Sequence, residues 1–193
     1  MRWFPGLTLL FGLAAAGQAQ EITGGYVGLS LGSLSYKEKD DFGFVISDST
    51  ASYRILGGYH FNSYYALEAG WGATGGVTET FRGFDSLGNP ASLEFETEQE
   101  IATLRLLMFA PFDALGVFGG IGYYDATLET TVTFETPVEV QRMSTKDGDD
   151  GAMVVGGIVF ELRRIAIRGE YEWFDTSGDV DTTNLGVTVL FRF

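Results

Sequence analysis

The chain has no cysteine, a single histidine and only four prolines. Beyond its first twenty residues it has no apolar run of the 18 or more residues that a membrane-crossing helix needs. Each absence excludes something. Without cysteine there is no disulfide framework, so hydrogen bonds and packing must hold the fold together. Without a Cys/His cluster there is no structural zinc site. Basic residues are also scarce, 12 against 26 acidic ones, giving a net charge of −14. Such a field disfavours nucleic acid and anionic surfaces and attracts cations. No glycine-rich phosphate loop or dinucleotide fingerprint is present, and no cofactor is expected.

The first segment is an export address. Met1 and Arg2 give a positive start, Leu7 to Ala16 an apolar stretch, and Gly17-Gln18-Ala19 the small-x-small pattern of a cleavage site. The division expected is a cleaved signal peptide over 1–19 and a single domain over 20–193.

In that domain the apolar residues recur with period two, which argues strand rather than helix. Val27, Leu29 and Leu31 share one face; Tyr53, Ile55, Tyr59 and Phe61 the next; then Leu67, Ala69 and Trp71; then Leu104, Leu106 and Met108. Ile121 and Tyr123, then Ile158 and Phe160, then Ile167, Tyr171 and Trp173 continue the pattern, and Leu185 to Phe193 ends it. That makes eight strands, most near the ~9–11 residues of a tilted membrane strand. The opposite faces carry mainly Gly, Ala, Ser and Thr with isolated Arg and Glu. A solvated face would carry many Lys and Glu, whereas the narrow interior of an eight-stranded barrel takes small residues and a few paired charges. The apolar face is therefore predicted to point outward into lipid.

Turns fall near Asn62-Ser63, Pro111 to Gly116 and Arg163-Arg164, and long connections span about 37–50, 75–92, 129–151 and 175–182. Twenty of the 26 acidic residues but only five of the 12 basic ones lie in or beside the long connections. An even strand count puts both termini on the side of the short turns, which should be periplasmic. The predicted fold is thus all-β: an eight-stranded antiparallel up-and-down transmembrane barrel with short periplasmic turns and long extracellular loops.

Several segments resemble the small outer-membrane β-barrel superfamily that includes the OmpA transmembrane domain and OmpX. They are Tyr65-Ala66-Leu67-Glu68-Ala69-Gly70-Trp71, Phe118-Gly119-Gly120-Ile121-Gly122-Tyr123 and Ile167-Arg168-Gly169-Glu170-Tyr171-Glu172-Trp173. The final strand, with Leu185, Val187, Val189, Phe191 and Phe193 at alternate positions, is similar to that family's C-terminal assembly signal. The resemblance implies a Gram-negative outer membrane, contact with lipid and lipopolysaccharide, and recognition by the barrel-assembly machinery during biogenesis. A monomer is expected. No peptidoglycan-binding domain is expected after the last strand, so wall anchoring is not expected to carry over.

Three sets of residues carry chemistry. Arg54, Glu68, Arg105, Glu161, Arg168, Glu170, Glu172 and Arg192 fall on the inward face, where buried charges must pair. They form either a plug or a gate, and the narrow lumen favours the plug. Glu94, Glu96, Glu98 and Glu100 continue the outward face of the strand that ends at Met108, beyond the membrane band. There divalent cations could bridge them to lipopolysaccharide phosphates, unless a β-bulge turned them inward. Asp147-Gly148-Asp149-Asp150-Gly151 has the look of a calcium loop but lacks its third ligand and its closing Glu, so a solvated turn is expected. His60 sits beside a short turn. Lipid A deacylases and palmitoyl transferases of this architecture use a His and a Ser near the outer side, and no such pair is present. The reading is a non-enzymatic barrel acting in envelope integrity or adhesion through acidic loops. A narrow, gated cation porin is the alternative.

Overall fold

In a computed structural model the chain is described for residues 23–39, 45–75, 77–84, 90–136, 140–176 and 180–193. The proposed signal segment lies outside them. Among the described residues there are nine strands: β1 (Gly24–Lys39), β2 (Val45–Asn62), β3 (Tyr65–Thr74), β4 (Val77–Phe84), β5 (Pro90–Phe112), β6 (Leu115–Glu135), β7 (Val140–Leu162), β8 (Ile165–Phe174) and β9 (Val180–Arg192). All pairings are antiparallel. Eight strands form a ring: β1 pairs with β2 and β9, β3 closes onto β5, and β5 to β9 follow in order. The ninth, β4, continues β3 upward and pairs only with β5, Val77 opposite Thr97 and Phe84 opposite Pro90. The ring is therefore the expected eight.

The short turns lie at Ser63-Tyr64, Asp113-Ala114 and Arg163-Arg164. Asn62 Oδ1 accepts hydrogen bonds from the backbone N–H groups of Tyr64 (2.8 Å) and Tyr65 (3.0 Å), fixing the first of them. Asp113 and Arg163 take left-handed φ values of 63° and 52° that let the chain reverse tightly.

Composition reads 75–92 and 129–151 as connections, but both are largely strand. β5 and β6 stay in unbroken register from Ser92 opposite Glu135 to Phe112 opposite Leu115, and β6 and β7 pair from Glu135–Val140 to Leu115–Phe160. Residues 147–151, expected as a Gly/Asp turn, sit in the middle of β7 opposite Tyr124 to Leu128. The β-branched partners along β6 (Thr127, Thr130, Thr131, Val132, Thr133) favour the pleated ladder, and its hydrogen bonds outweigh the turn preference of Gly and Asp. β4 and the far ends of β5, β6 and β7 therefore stand beyond the ring as a four-stranded sheet.

Burial is the inverse of a soluble protein's. Leu31 is 70% exposed, Ile121 65% and Trp71 53%, while Glu68, Arg168 and Glu172 are 0% exposed. Only a lipid solvent makes that distribution favourable. Aromatic side chains gather at both ends of the outward face: Tyr53, Trp71 and Tyr123 toward the open mouth, Tyr59, Phe61, Tyr65 and Phe193 toward the turns. They form the two girdles expected at membrane–water interfaces.

Candidate functional site

The lumen is layered. Nearest the turns Tyr26, Leu56, Ala66, Leu107, Phe109, Phe118, Val155, Val159, Ala166 and Leu190 make an apolar cap. Nearest the mouth Leu34, Ile101, Tyr124, Ala126, Met153 and Phe174 make a second one. The buried charges lie between them. The alternation that turns small residues inward also turns these aromatic and aliphatic residues inward near the strand ends, so the interior is far more apolar than Gly, Ala, Ser and Thr alone would make it.

Six of the eight predicted inward charges form one network. Glu172 is held by both terminal guanidinium nitrogens of Arg54 (2.7 and 2.5 Å), by Arg105 and by Asn184 Nδ2 (2.8 Å). Arg105 also pairs with Glu68 and, at 3.1 Å, with Glu170. Arg168 reaches Glu68 at 2.7 Å and Glu170 at 2.9 Å, and lies 5.3 Å from the Phe118 ring centroid. Three arginines and three glutamates balance to zero, which burial away from water requires. The other two, Arg192 and Glu161, form a separate pair at 2.7 Å near the turn side.

His60 is 3% exposed, its ring 5.1 Å from that of Tyr26 and 5.0 Å from that of Phe109. It shares with Ser63 and Glu161 a cavity of about 10 Å³. That space is near the least that holds one water, and no substrate fits it.

At the opposite end the upper cap floors an open cup of about 320 Å³, lined by Tyr36, Tyr124, Leu128, Asp147, Asp149 and Phe174 among others. The continuous β5–β6 register contains no bulge, so Glu94, Glu96, Glu98 and Glu100 keep the outward parity of Ala102 and Leu104. Glu96 faces Arg142 at 3.6 Å, and Glu98 stands opposite Glu129, whose carboxylate meets Lys146 at 3.0 Å. The Ser144 hydroxyl and then the Lys146 ammonium hold the Glu129 carboxyl below its ordinary pKa. Among the described residues no three acidic or imidazole groups converge as a metal cage. Asp150 points outward and accepts from the Tyr123 hydroxyl, while Asp147 and Asp149 line the cup, so the five-residue acidic segment is split between two faces.

A sequence model of the outer membrane protein beta-barrel domain matches residues 6–193. The chain belongs to that family. No curated protein matches it. Solved barrels similar to it include Ail of Yersinia pestis in complex with the heparin analogue sucrose octasulfate (15% identity, TM-score 0.56, covering 88% of this chain and 99% of that one). OprG of Pseudomonas aeruginosa aligns at 14% identity and TM-score 0.52 over 89% and 98% of the two chains. Neisserial surface protein A aligns at 13% and 0.50 over 90% and 99%. At these identities the likeness shows the fold alone. This member of the outer membrane barrel family is an integral outer-membrane protein, set among lipid and lipopolysaccharide.

Proposed function

We propose that this barrel is a non-enzymatic surface protein that engages a basic partner protein outside the cell, through the sheet that stands above its mouth. One observation carries the reading: β4 and the 140–151 part of β7 each pair on one side only, leaving two open edges on the protruding sheet. At ~3.3 Å per residue the free part of β7 is roughly 40 Å long. Toward the sheet's tip the lumen-parity face is mainly apolar, with Phe81, Leu93, Phe95, Val132, Phe134 and Met143, and the Phe81 and Phe95 rings meet edge-on at 5.9 Å. Its outward face carries Glu94, Glu98, Glu100, Asp125 and Asp150 in excess of Arg82 and of the Arg142–Glu96 and Lys146–Glu129 pairs. An open edge with apolar pockets on one face suits an extended peptide added as a further strand, and the acidic face selects a basic one. The polyanion bound by Ail is a poor guide to this chain, because a sulfated ligand would meet like charge.

The test removes the far end of one hairpin and leaves the ring intact. Thr130 and Thr145 are directly paired, so replacing residues 131–144 by Asn-Gly closes a shorter hairpin in register. Cells displaying this variant should lose most of their binding to immobilised basic matrix proteins while the barrel keeps its mobility shift on boiling. Unchanged binding would remove the sheet from the function.

The charged layer is, in this reading, a plug that fixes strand register rather than a gate. Two apolar caps shut it from both ends, which argues against the porin alternative. The last strand, with Phe193 at its end, serves the assembly machinery, and the barrel acts as a monomer. Glu94, Glu96, Glu98 and Glu100 form a second contact, with lipopolysaccharide. Alternate strand positions lie about 7 Å apart, too far to share one ion, so phosphate oxygens of the lipid must complete each cation's shell. Changing all four to Gln should abolish the Mg²⁺-dependent part of lipopolysaccharide association in a pull-down, and an unaltered Mg²⁺ dependence would remove that contact.

A further inference from the structure

The cup at the mouth has a closed floor and a lining that is sorted by strand. On β6 the lumen-facing positions are Tyr124, Ala126 and Leu128; directly opposite Ala126 and Leu128 on β7 stand Asp149 and Asp147. Each carboxylate is thus the cross-strand neighbour of an apolar side chain, at the ~5 Å spacing of such pairs. The Tyr124 hydroxyl donates to Asp149 Oδ2 at 2.8 Å, and the Tyr124 ring packs edge-on against Phe174 at 5.2 Å. Asp147 Oδ1 accepts from the Gly148 N–H at 3.0 Å. Both carboxylates are thereby oriented from within their own sheet. Among the described residues the lining contains no lysine or arginine. The arginines of the lumen lie on the far side of the apolar cap formed by Leu34, Ile101, Met153 and Phe174. A concave, mainly apolar site of this size with a few oriented polar groups is the ordinary form of a small-molecule pocket.

We propose that the cup binds a small organic cation: one ammonium or guanidinium group carried on a compact apolar body. The cationic head meets Asp147 and Asp149, and the body rests on Leu128, Ala126 and the Tyr124–Phe174 pair. Because the cap closes the floor, the ligand is held at the surface and is not passed inward. The site uses lumen-facing side chains of the same part of β7 whose edge is free, and its ligand does not depend on the partner at that edge.

The experiment uses the full barrel in nanodiscs of zwitterionic lipid and three probes in calorimetric titration. They are 2-phenylethylammonium, its neutral isostere 2-phenylethanol, and butane-1,4-diammonium, which has charge but no comparable apolar body. The expected result is saturable binding of 2-phenylethylammonium, at least tenfold weaker binding of the other two, and a tenfold or greater loss in the D147N/D149N variant. Leu128→Trp, which fills the cup from a solvent-facing position, should abolish binding with both carboxylates intact. The boiling shift confirms that each variant is folded. Equal binding of 2-phenylethanol would mean simple partition, and equal binding of the diamine would mean diffuse charge attraction. Either result, or undiminished binding in the variants, overturns the site.

Discussion

Replacing Arg105 by methionine should lower the unfolding free energy by about 3–5 kcal/mol, the cost of stranding a buried charge by removing its partner. Arg105 is 1% exposed and is the one cation that touches Glu68, Glu170 and Glu172 together. Its loss leaves three carboxylates facing two guanidinium groups between two apolar caps, where water cannot screen them. Adding Glu68→Gln restores neutrality, since Arg54 keeps Glu172 and Arg168 keeps Glu170. The double variant should therefore recover at least half of the loss. Urea unfolding in phospholipid vesicles, followed by tryptophan fluorescence, gives all four corners of the cycle. A single-variant loss below about 1 kcal/mol, the range of exposed pairs, would show that the charged layer is wet.

Gly157→Val should be the second severe change and Gly57→Val a silent one. The two glycines sit on neighbouring sides of the same kind of wall, but Gly157 faces the lumen and Gly57 faces lipid. A Cβ at Gly157 would lie 2.0 Å from the Gly169 carbonyl oxygen and 2.9 Å from the Phe118 ring. Backbone cannot yield as a flexible side chain does, so β7 and β8 would have to separate and lose ladder hydrogen bonds. The cost should exceed about 3 kcal/mol, the upper end of ordinary overpacking. A Cβ at Gly57 meets nothing within 4 Å. On boiled and unboiled gels Gly57→Val should shift like the parent, and Gly157→Val should show little or no compact form. Equal behaviour of the two would mean that β7 and β8 are not packed so closely.

Much of this was legible in the chain itself. Period two fixes which residues share a face, and the small size of the opposite residues tells which face meets lipid. Trp71 and Glu68 could be assigned to opposite sides of the wall without coordinates, and so could all eight inward charges. The outward parity of Glu94 to Glu100 was legible only up to the question of a bulge, which the unbroken β5–β6 ladder answers.

What stayed hidden depends on register between strands. Local turn preference made 147–151 look like a loop, because nothing in those five residues announces a β6 partner able to hold them extended. Once paired, alternation sends Asp147 and Asp149 inward and Asp150 outward, and an apparent turn becomes one wall of a cup. The same holds for the caps. Tyr26, Phe118 and Leu190, or Tyr124 and Phe174, are distant in sequence, and only closure of the ring brings them to one level.

The sequence by itself determined the architecture of this protein, its orientation toward lipid and the set of charges inside it, because these follow from side-chain periodicity along single strands. Only the tertiary structure decided which charges pair, that apolar layers seal them, and where an open sheet and an acidic cup stand above the ring. Those features depend on how far each ladder extends and on which strand levels coincide around a closed barrel, and a single strand carries no record of either.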